Sequence, residues 1–404
     1  MANTTAIHDI VYKDAVRTLR NETAFINMVE PHYDNTYSTQ GAKEGEAIRL
    51  MQPAEFSVRS GNNIDIQDVD EKTVTLTRSV LRGVDFKFSS SEMTQDVEQF
   101  NKTKIQPAMA TLAAKVDNHC LDLAYKDVYQ AVTLPTTSLD RVDVLNAGIK
   151  LDNGSTPRGL SSRCVILNPQ GHGDVVNDSS GLFNNATNIS QQYNDGIVSV
   201  PSFGFKFGMS QNIDTHTVGT HATGSTPLTN GVGVEAASTL VTDGWANSTA
   251  VLLKGDIFTI GSVYQVNALT KQSTGVLQQF VCTANGTSDG SGDLTVSISP
   301  SLISTGAYQN IDSLPADGAA LVVMGTESVA YPQNLAFHNG FGALGFIDLD
   351  KPEGATCIRK AEDGISMRMW IDRDINTNSE IFRFDVLFGF KVVIPRWGCR
   401  IYGV

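Results

Sequence analysis

Through the middle of the chain, apolar residues recur at helical intervals. Ile105, Met109, Leu112, Val116, Cys120 and Leu123 step by four, three, four, four and three. That is one face of a helix with 3.6 residues per turn. The spacing predicts a long core-facing helix running to about Gln130, with Ser89 and Glu92 spaced as a capping box ahead of it. Pro107 either starts its main segment or kinks it. On both sides of this helix the period falls to two. Val74 and Leu76 alternate with Thr73, Thr75 and Thr77, and Phe86 and Phe88 flank Lys87. Near the C-terminus, Phe382, Phe384, Val386 and Phe388 share one face, with Arg383 and Asp385 on the other. Such alternation predicts two-faced strands. With an earlier strand at Ile48–Val58 and a turn at Gly61-Asn62-Asn63, the first set reads as a long β-hairpin. An acidic stretch, Asp65–Glu71, falls near its tip. An isolated hairpin is marginal in water, so one with polar faces is expected to lie against another chain.

Residues 1–45 are polar, with a short helical pattern at Ala15–Val29 that ends at Pro31. They read as an arm that needs a neighbour to become ordered. Residues 139–215 are mixed: a short helix at Val142–Ile149, a buried strand at Cys164–Leu167 leading into Asn168-Pro169-Gln170, a Gly- and Asn-rich loop, then Tyr193–Val200. From Gly219 to Thr242 the chain is rich in Gly, Thr and Ser and short of charge. Compact strand patterns follow at Ala250–Leu253, Ile257–Val266, Gln278–Thr283 and Leu294–Ile298, with Val322–Met324 closing the set. Turns at Lys254-Gly255-Asp256 and Asn285-Gly286 separate some of them. Short strands this closely spaced predict a small β-barrel inserted at about 219–329. The mixed pattern resumes after Tyr331-Pro332, and Ile365–Ile371 and Glu380–Ile394 read as sheet strands.

Composition narrows what such a chain does. Of 404 residues, 41% are hydrophobic and 18% charged, which excludes a disordered chain. The net charge of −13 argues against gripping nucleic acid, whose binding rests on Lys and Arg. The five cysteines are far apart, without a CxxC pair, so neither a disulfide framework nor a zinc ribbon is expected and a reducing compartment fits. Met1–Leu19 lacks the apolar core of a signal peptide, and no run approaches the roughly 18 apolar residues of a membrane span.

Candidate chemistry is sparse. His216 and His221 read as solvated loop histidines without zinc-spaced partners, and Gly171-His172-Gly173 as a turn that lacks the phosphate-loop pattern. Lys254-Gly255-Asp256 resembles an integrin-type tripeptide, but hairpin-turn chemistry explains it. Asp348, Asp350, Asp372 and Asp374 could do acid–base work or hold calcium; Arg368 and Arg373 nearby make ion pairing the simpler account. No catalytic, cofactor-binding or metal residue is assigned, and no cofactor is expected.

Several of these local patterns occur together in one order. They are Val74–Thr94 with Met109–Asn118, Ile166-Leu167-Asn168-Pro169-Gln170, Tyr193-Asn194-Asp195-Gly196-Ile197, Leu253-Lys254-Gly255-Asp256-Ile257-Phe258, and Ala307-Tyr308-Gln309-Asn310-Ile311 with Ser313-Leu314. Over about 300 residues the chain thereby resembles the major capsid proteins of tailed phages with the Hong Kong 97-type fold. It is most similar to the coat proteins of Salmonella podoviruses of the P-22 type, which carry an insertion domain. The resemblance implies an α+β fold. Residues 1–45 would be an N-terminal arm, 46–88 an extended β-hairpin loop overlapping a neighbouring subunit, and 89–138 a peripheral domain with a spine helix. Residues 139–218 and 330–364 would form an axial domain, 219–329 the inserted β-barrel, and 365–404 the peripheral strands. Within the insertion, a loop near 228–246, with only Glu235 and Asp243 for charge, would reach toward other capsomers. The resemblance further implies homo-oligomers, pentamers and hexamers in an icosahedral shell that encloses double-stranded DNA without sequence-specific binding and without a membrane. Scaffolding, portal and decoration proteins would be partners, and the locations would be the virion capsid and, during assembly, the host cytoplasm. The alternative is a β-rich surface-binding or adhesin-like protein, suggested by the Gly, Thr and Asn content of 219–310. It predicts a secretion signal that the sequence does not display.

Overall fold

The computed structural model describes residues 2–29, 47–56, 58, 61–62, 66, 72–89, 101–132, 138–159, 162–179, 203–350, 356–362, 365–374 and 379–403. Its helices are α1 (Ala2–Glu22), α2 (Gln106–Asp127), α3 (Arg141–Asn153) and α4 (Pro169–Ser179). The first strands are β1 (Ala47–Met51), β2 (Thr73–Thr77), β3 (Val80–Ser89), β4 (Ala131–Val132), β5 (Arg163–Leu167), β6 (Lys206–Met209) and β7 (Thr215–Thr217). The next are β8 (Leu228–Thr229), β9 (Thr239–Asp243), β10 (Ala250–Leu252), β11 (Ile257–Val266), β12 (Ser273–Cys282), β13 (Gly286–Thr287), β14 (Leu294–Ser299) and β15 (Leu321–Val323). The last are β16 (Ala330–His338), β17 (Gly342–Ile347), β18 (Thr356–Glu362), β19 (Ile365–Asp374), β20 (Ser379–Val392) and β21 (Gly398–Tyr402). The chain divides into one unit of Met1–Leu50, Val74–Leu121 and Gly342–Lys391, and a second of Met51–Thr73, Asp122–Phe341 and Val392–Val404.

The first unit is built on a five-stranded sheet in the order β17-β20-β19-β18, with β3 also paired to β20. β20 shows the alternation read from its sequence: Phe382, Phe384, Val386, Phe388 and Phe390 are buried. Each such side chain contributes about 1.5–3 kcal/mol on burial. On the opposite face Asp385 is buried too, accepting from Arg368 at 2.6 Å and Arg383 at 2.9 Å. Of the carboxylates near these strand ends, Asp348 finds Arg359 as its cation. Arg368 bonds Asp385 and the Asp350 carbonyl, while Asp348 lies 3.7 Å from Arg359 and also accepts from Ser366.

The arm departs from its sequence reading. Its helix spans Ala2–Glu22, followed by a 3-10 turn at Ile26–Met28, where the sequence pattern suggested Ala15–Val29. Val11, Tyr12, Ala15, Val16 and Leu19 are buried within their own chain. Tyr12 donates to the Met367 carbonyl at 2.7 Å, and Asp117 of α2 accepts from the Phe25 and Ile26 amides at 3.0 and 3.2 Å. A π-helical turn at Asn101–Ile105 leads into α2, and Pro107 is its second residue. The chain is already helical ahead of the proline, and the change from π to α winding falls just before it. Ile105, Met109, Leu112, Val116 and Cys120 are buried as the stripe requires; in the last turns burial passes to Leu121 and Ala124, leaving Leu123 half-buried. β1 pairs with β2 and stops at Met51, short of the expected Val58, and Pro53 just beyond has no N–H for a ladder. Glu92, most of the acidic stretch at 65–71 and all of Tyr193–Val200 lie outside the described residues.

The second unit holds a two-stranded sheet, β10-β13, and two six-stranded ones. One runs β4-β21-β16-β5-β6, with β7 also on β16. β5 is buried at every position, as a strand covered on both faces must be. Val144, Ala147 and Leu151 of α3 and Val175 of α4 pack with Val165, Leu167, Phe207 and Ile401. The other sheet runs β15-β11-β12-β14-β9-β8. Its two ends meet: Thr229 N–H donates to the Ala319 carbonyl, Gly318 N–H to that of Thr229 and Leu321 N–H to that of Pro227, at 2.9–3.0 Å. The six strands therefore close into a barrel with no free edge. Leu240, Phe258, Ile260, Phe280, Val296 and Ile298 fill its interior.

Candidate functional site

On β11 and β12 the period-two pattern points Phe258 and Phe280 into the barrel and turns Ile257 and Val281 outward, yet these two are also fully buried. They pack against Tyr129, Ala131 and Tyr402. Beside them Gln279 faces β4. Its amide oxygen accepts from Ala131 N–H and its nitrogen donates to the Ala131 carbonyl, both at 3.0 Å. A side chain thus stands where the peptide of an adjoining strand would stand, and no backbone polar group of Ala131 is left without a partner.

Deeper in this junction lies Arg400 of β21, wholly buried. One of its terminal nitrogens donates to the Gly255 carbonyl at 2.7 Å and the other to Gln333 Oε1 at 3.3 Å. Its guanidinium carbon lies 5.8 and 5.7 Å from the ring centres of Tyr125 and Tyr402, within cation–π range. Burial lowers the Arg400 pKa, and Tyr402 and Asp256 oppose that shift. Burial likewise raises the Tyr402 hydroxyl.

Asp256, also wholly buried, organises the turn. Its Oδ2 accepts from the Leu253 and Gly219 amides at 2.7 and 3.1 Å, and its Oδ1 lies 2.7 Å from His216 Nε2. One carboxylate therefore ties three points: the β7 strand that leads toward the barrel, the chain at Gly219 and the turn before β11. Gly255 must be glycine here. Its φ is +104°, and a Cβ would sit 3.3 Å from the His216 ring and 3.4 Å from that of Tyr125.

His216 was read from sequence as a solvated loop residue. It is buried in β7, because a carboxylate on the facing turn provides the partner that local sequence does not display. His221 Nε2 lies 3.3 Å from the Gly325 carbonyl. Gly171-His172-Gly173 is not a turn but part of α4, whose first turns are held by His172 N–H on the Asn168 carbonyl and Gly171 N–H on the Asn168 side chain. Lys254-Gly255-Asp256 is a turn, with Asp256 facing inward. The signals for this junction were slight: an Arg alone in the apolar strand Gly398–Tyr402, and a Gln pair in a strand whose neighbours are Leu and Phe.

Burial pushes the Cys399 thiol up to about 12 and raises that of Cys282, so both stay protonated at neutral pH. Among the described residues no group of three or more His, Cys, Asp or Glu is placed to hold a metal ion, and no helix is long and apolar enough to cross a membrane.

Outside the junction, apolar side chains remain uncovered. On α3, Val142, Leu145 and Ile149 lie at i, i+3 and i+7 and are 51%, 42% and 56% exposed, while Val144, Ala147 and Leu151 fill the core behind them. Leu145 and Ile149 border a groove with Phe203 and Phe205. Phe56, Val58 and Ile66 are 58%, 91% and 86% exposed. In the barrel hairpin between β8 and β9, Val232 and Val234 are exposed, and Glu235 is tied to its own chain through the backbone and hydroxyl of Ser304.

The family model described as P22 coat protein, gene protein 5, matches residues 1–403. The major capsid protein of Acyrthosiphon pisum secondary endosymbiont phage 1 is 27% identical over 165 residues, covering 39% of this chain and 39% of that protein. The chain thus spans about two fifths of the length of that curated relative. Among solved structures, that of Mycobacterium phage Che8 is 12% identical, covering 94% of this chain and 90% of that one, with a TM-score of 0.44. The CUS-3 coat protein I-domain is 25% identical, covering 26% of this chain and 99% of that one, with a TM-score of 0.20.

Proposed function

Since the chain belongs to the P22 coat protein family of phage major capsid proteins, we propose that its copies close into an icosahedral shell around double-stranded DNA, meeting as pentamers and hexamers. The observation that carries this reading is the family match along residues 1–403. The surfaces suit it: apolar side chains on α3 and on the segment after β1 have no cover within one chain and would find it in identical neighbours. A net charge of −13 encloses DNA without gripping it.

In this reading 1–45 is the arm, 46–88 the loop that overlaps a neighbour, 89–138 and 365–404 the peripheral domain, and 139–218 with 330–364 the axial domain. The barrel at 219–329 is the insertion domain, and its loop near 228–246 contacts other capsomers through Val232 and Val234 more than through charge. A scaffolding protein, a portal at one vertex and a decoration protein are the partners, and assembly takes place in the host cytoplasm. The role is structural rather than enzymatic.

Deletion of 60–70 tests the overlap. The expected product is a folded subunit with unchanged circular dichroism that builds no shells under electron microscopy. Shells of normal form from that variant would remove the loop from the mechanism.

A further inference from the structure

We propose that Glu55 pins the root of the 46–88 loop to the barrel of its own subunit, so that the barrel sets the posture in which the loop leaves. The shell-building part of this inference rests on the coat-protein reading; the pin itself does not.

Both legs of the loop are held just beyond the β1–β2 ribbon. Gln52 N–H donates to the Lys72 carbonyl at 2.9 Å, and the Gln52 side chain donates to the Val393 carbonyl. On the first leg, Glu55 Oε2 lies 3.2 Å from Lys271 Nζ, in the turn between β11 and β12, and its Oε1 accepts from Arg396. The side chains of Glu55, Lys271 and Arg396 are 15%, 15% and 25% exposed, so water reaches them only in part. On the second leg, Lys72 Nζ lies 3.6 Å over the Tyr308 ring, in the connection between β14 and β15. A cavity of about 210 Å³ separates the legs from the barrel, bordered by Pro53, Tyr129, Gln265 and Asn310.

The legs carry opposite charges, and each meets a different site on the barrel. Exchanging the legs would bring like charges together, so the contacts fix register as well as attachment. These contacts lie at the root. One residue past Glu55, Phe56 is already 58% exposed, and Val58 is 91% exposed. The subunit therefore holds the base of the loop and leaves Phe56, Val58 and Ile66 exposed. Ion pairs this close to water are individually weak. They can break and reform without unfolding either side, which suits a loop whose angle must differ among shell positions.

Hydrogen exchange on the purified, unassembled full chain is the test, with Glu55→Gln and Lys72→Gln as variants. Each is expected to raise exchange of the backbone at 52–56 and at 72–74 several-fold and to leave β11 and β12 unchanged. Unchanged exchange at the root in both variants would overturn the pin. So would an equal rise across β11 and β12 in both, which marks loss of the barrel itself. If Glu55→Gln alone loosens the barrel, Lys72→Gln decides. In particles assembled from each variant chain the distribution of shell diameters should broaden; diameters like those of the unaltered protein despite a loosened root would overturn the barrel's control of posture. Failure of the unaltered chain to form shells would count against the coat-protein reading and leave the exchange result standing.

Discussion

Two sets of charges tie the barrel to the rest of the second unit, and they differ in how much water reaches them. Arg400 and Asp256 are 0% exposed and His216 is 4% exposed. Glu55, Lys271 and Arg396 are 15–25% exposed. The first set is committed. Having left water, its charges depend on each other, on Gly255 and Gln333, and on two tyrosine rings, and they cannot part without leaving a buried charge uncompensated. The second set is adjustable. Water can replace either partner, so its geometry can change at small cost. Charges of the same kind thus serve two purposes: the dry set fixes where the barrel sits, and the wetter set holds the chain at Glu55 beside it.

The largest test of this contrast is Arg400→Ala. It leaves the Gly255 carbonyl and Gln333 Oε1 without their donors and opens a cavity, and a loss of about 3–5 kcal/mol is expected in chemical denaturation. A loss under about 1 kcal/mol would erase the distinction between the two sets. Next is Gln279→Leu, which keeps the volume but leaves the N–H and carbonyl of Ala131 unpaired. About 2 kcal/mol is expected, read the same way. Glu55→Gln should lower global stability by no more than about 1 kcal/mol. Any loss should shrink in high salt, as the loss from Arg400→Ala should not.

The smallest effect is with acid. Asp152 is held below the ordinary carboxylate value mainly by its hydrogen bond from Arg158. Glu235 is lowered by the Ser304 hydroxyl, Glu327 by that of Thr223, and Asp289 by the Asp293 N–H. A folded value below the unfolded one adds stability above the unfolded value, and that stability is lost as pH falls through the folded one. The melting midpoint should therefore be unaffected by these groups near neutrality and decline below about pH 4.3. A midpoint that rises in that range would contradict the assignment.

The strands and helices that build the two units were legible where one face alone is buried. The Phe series of β20 and the stripe of α2 are periodic, and burial followed the period. Barrel strand β14 was legible for the same reason. The arm helix was misplaced because its buried face, Val11 to Leu19, is interleaved with charged residues and its partners lie hundreds of residues away, at Met367 for example. His216, Asp256, Gln279 and Arg400 were not legible as a group. They come from four separate stretches, and nothing within any one stretch indicates that another provides its partner. Gly171-His172-Gly173 was misjudged because glycines usually mark turns, whereas here the Asn168 side chain and carbonyl hold them in the first turns of a helix.

Beneath both sets of charges lies the claim that this subunit completes itself only among copies of itself. Expression of the full chain, followed by electron microscopy of the purified product, addresses that claim directly. Closed shells of uniform diameter, with the barrel on each subunit, are the predicted result. A compact monomer at every concentration and salt tried, with Phe56, Val58 and the α3 face protected within single chains, would contradict it.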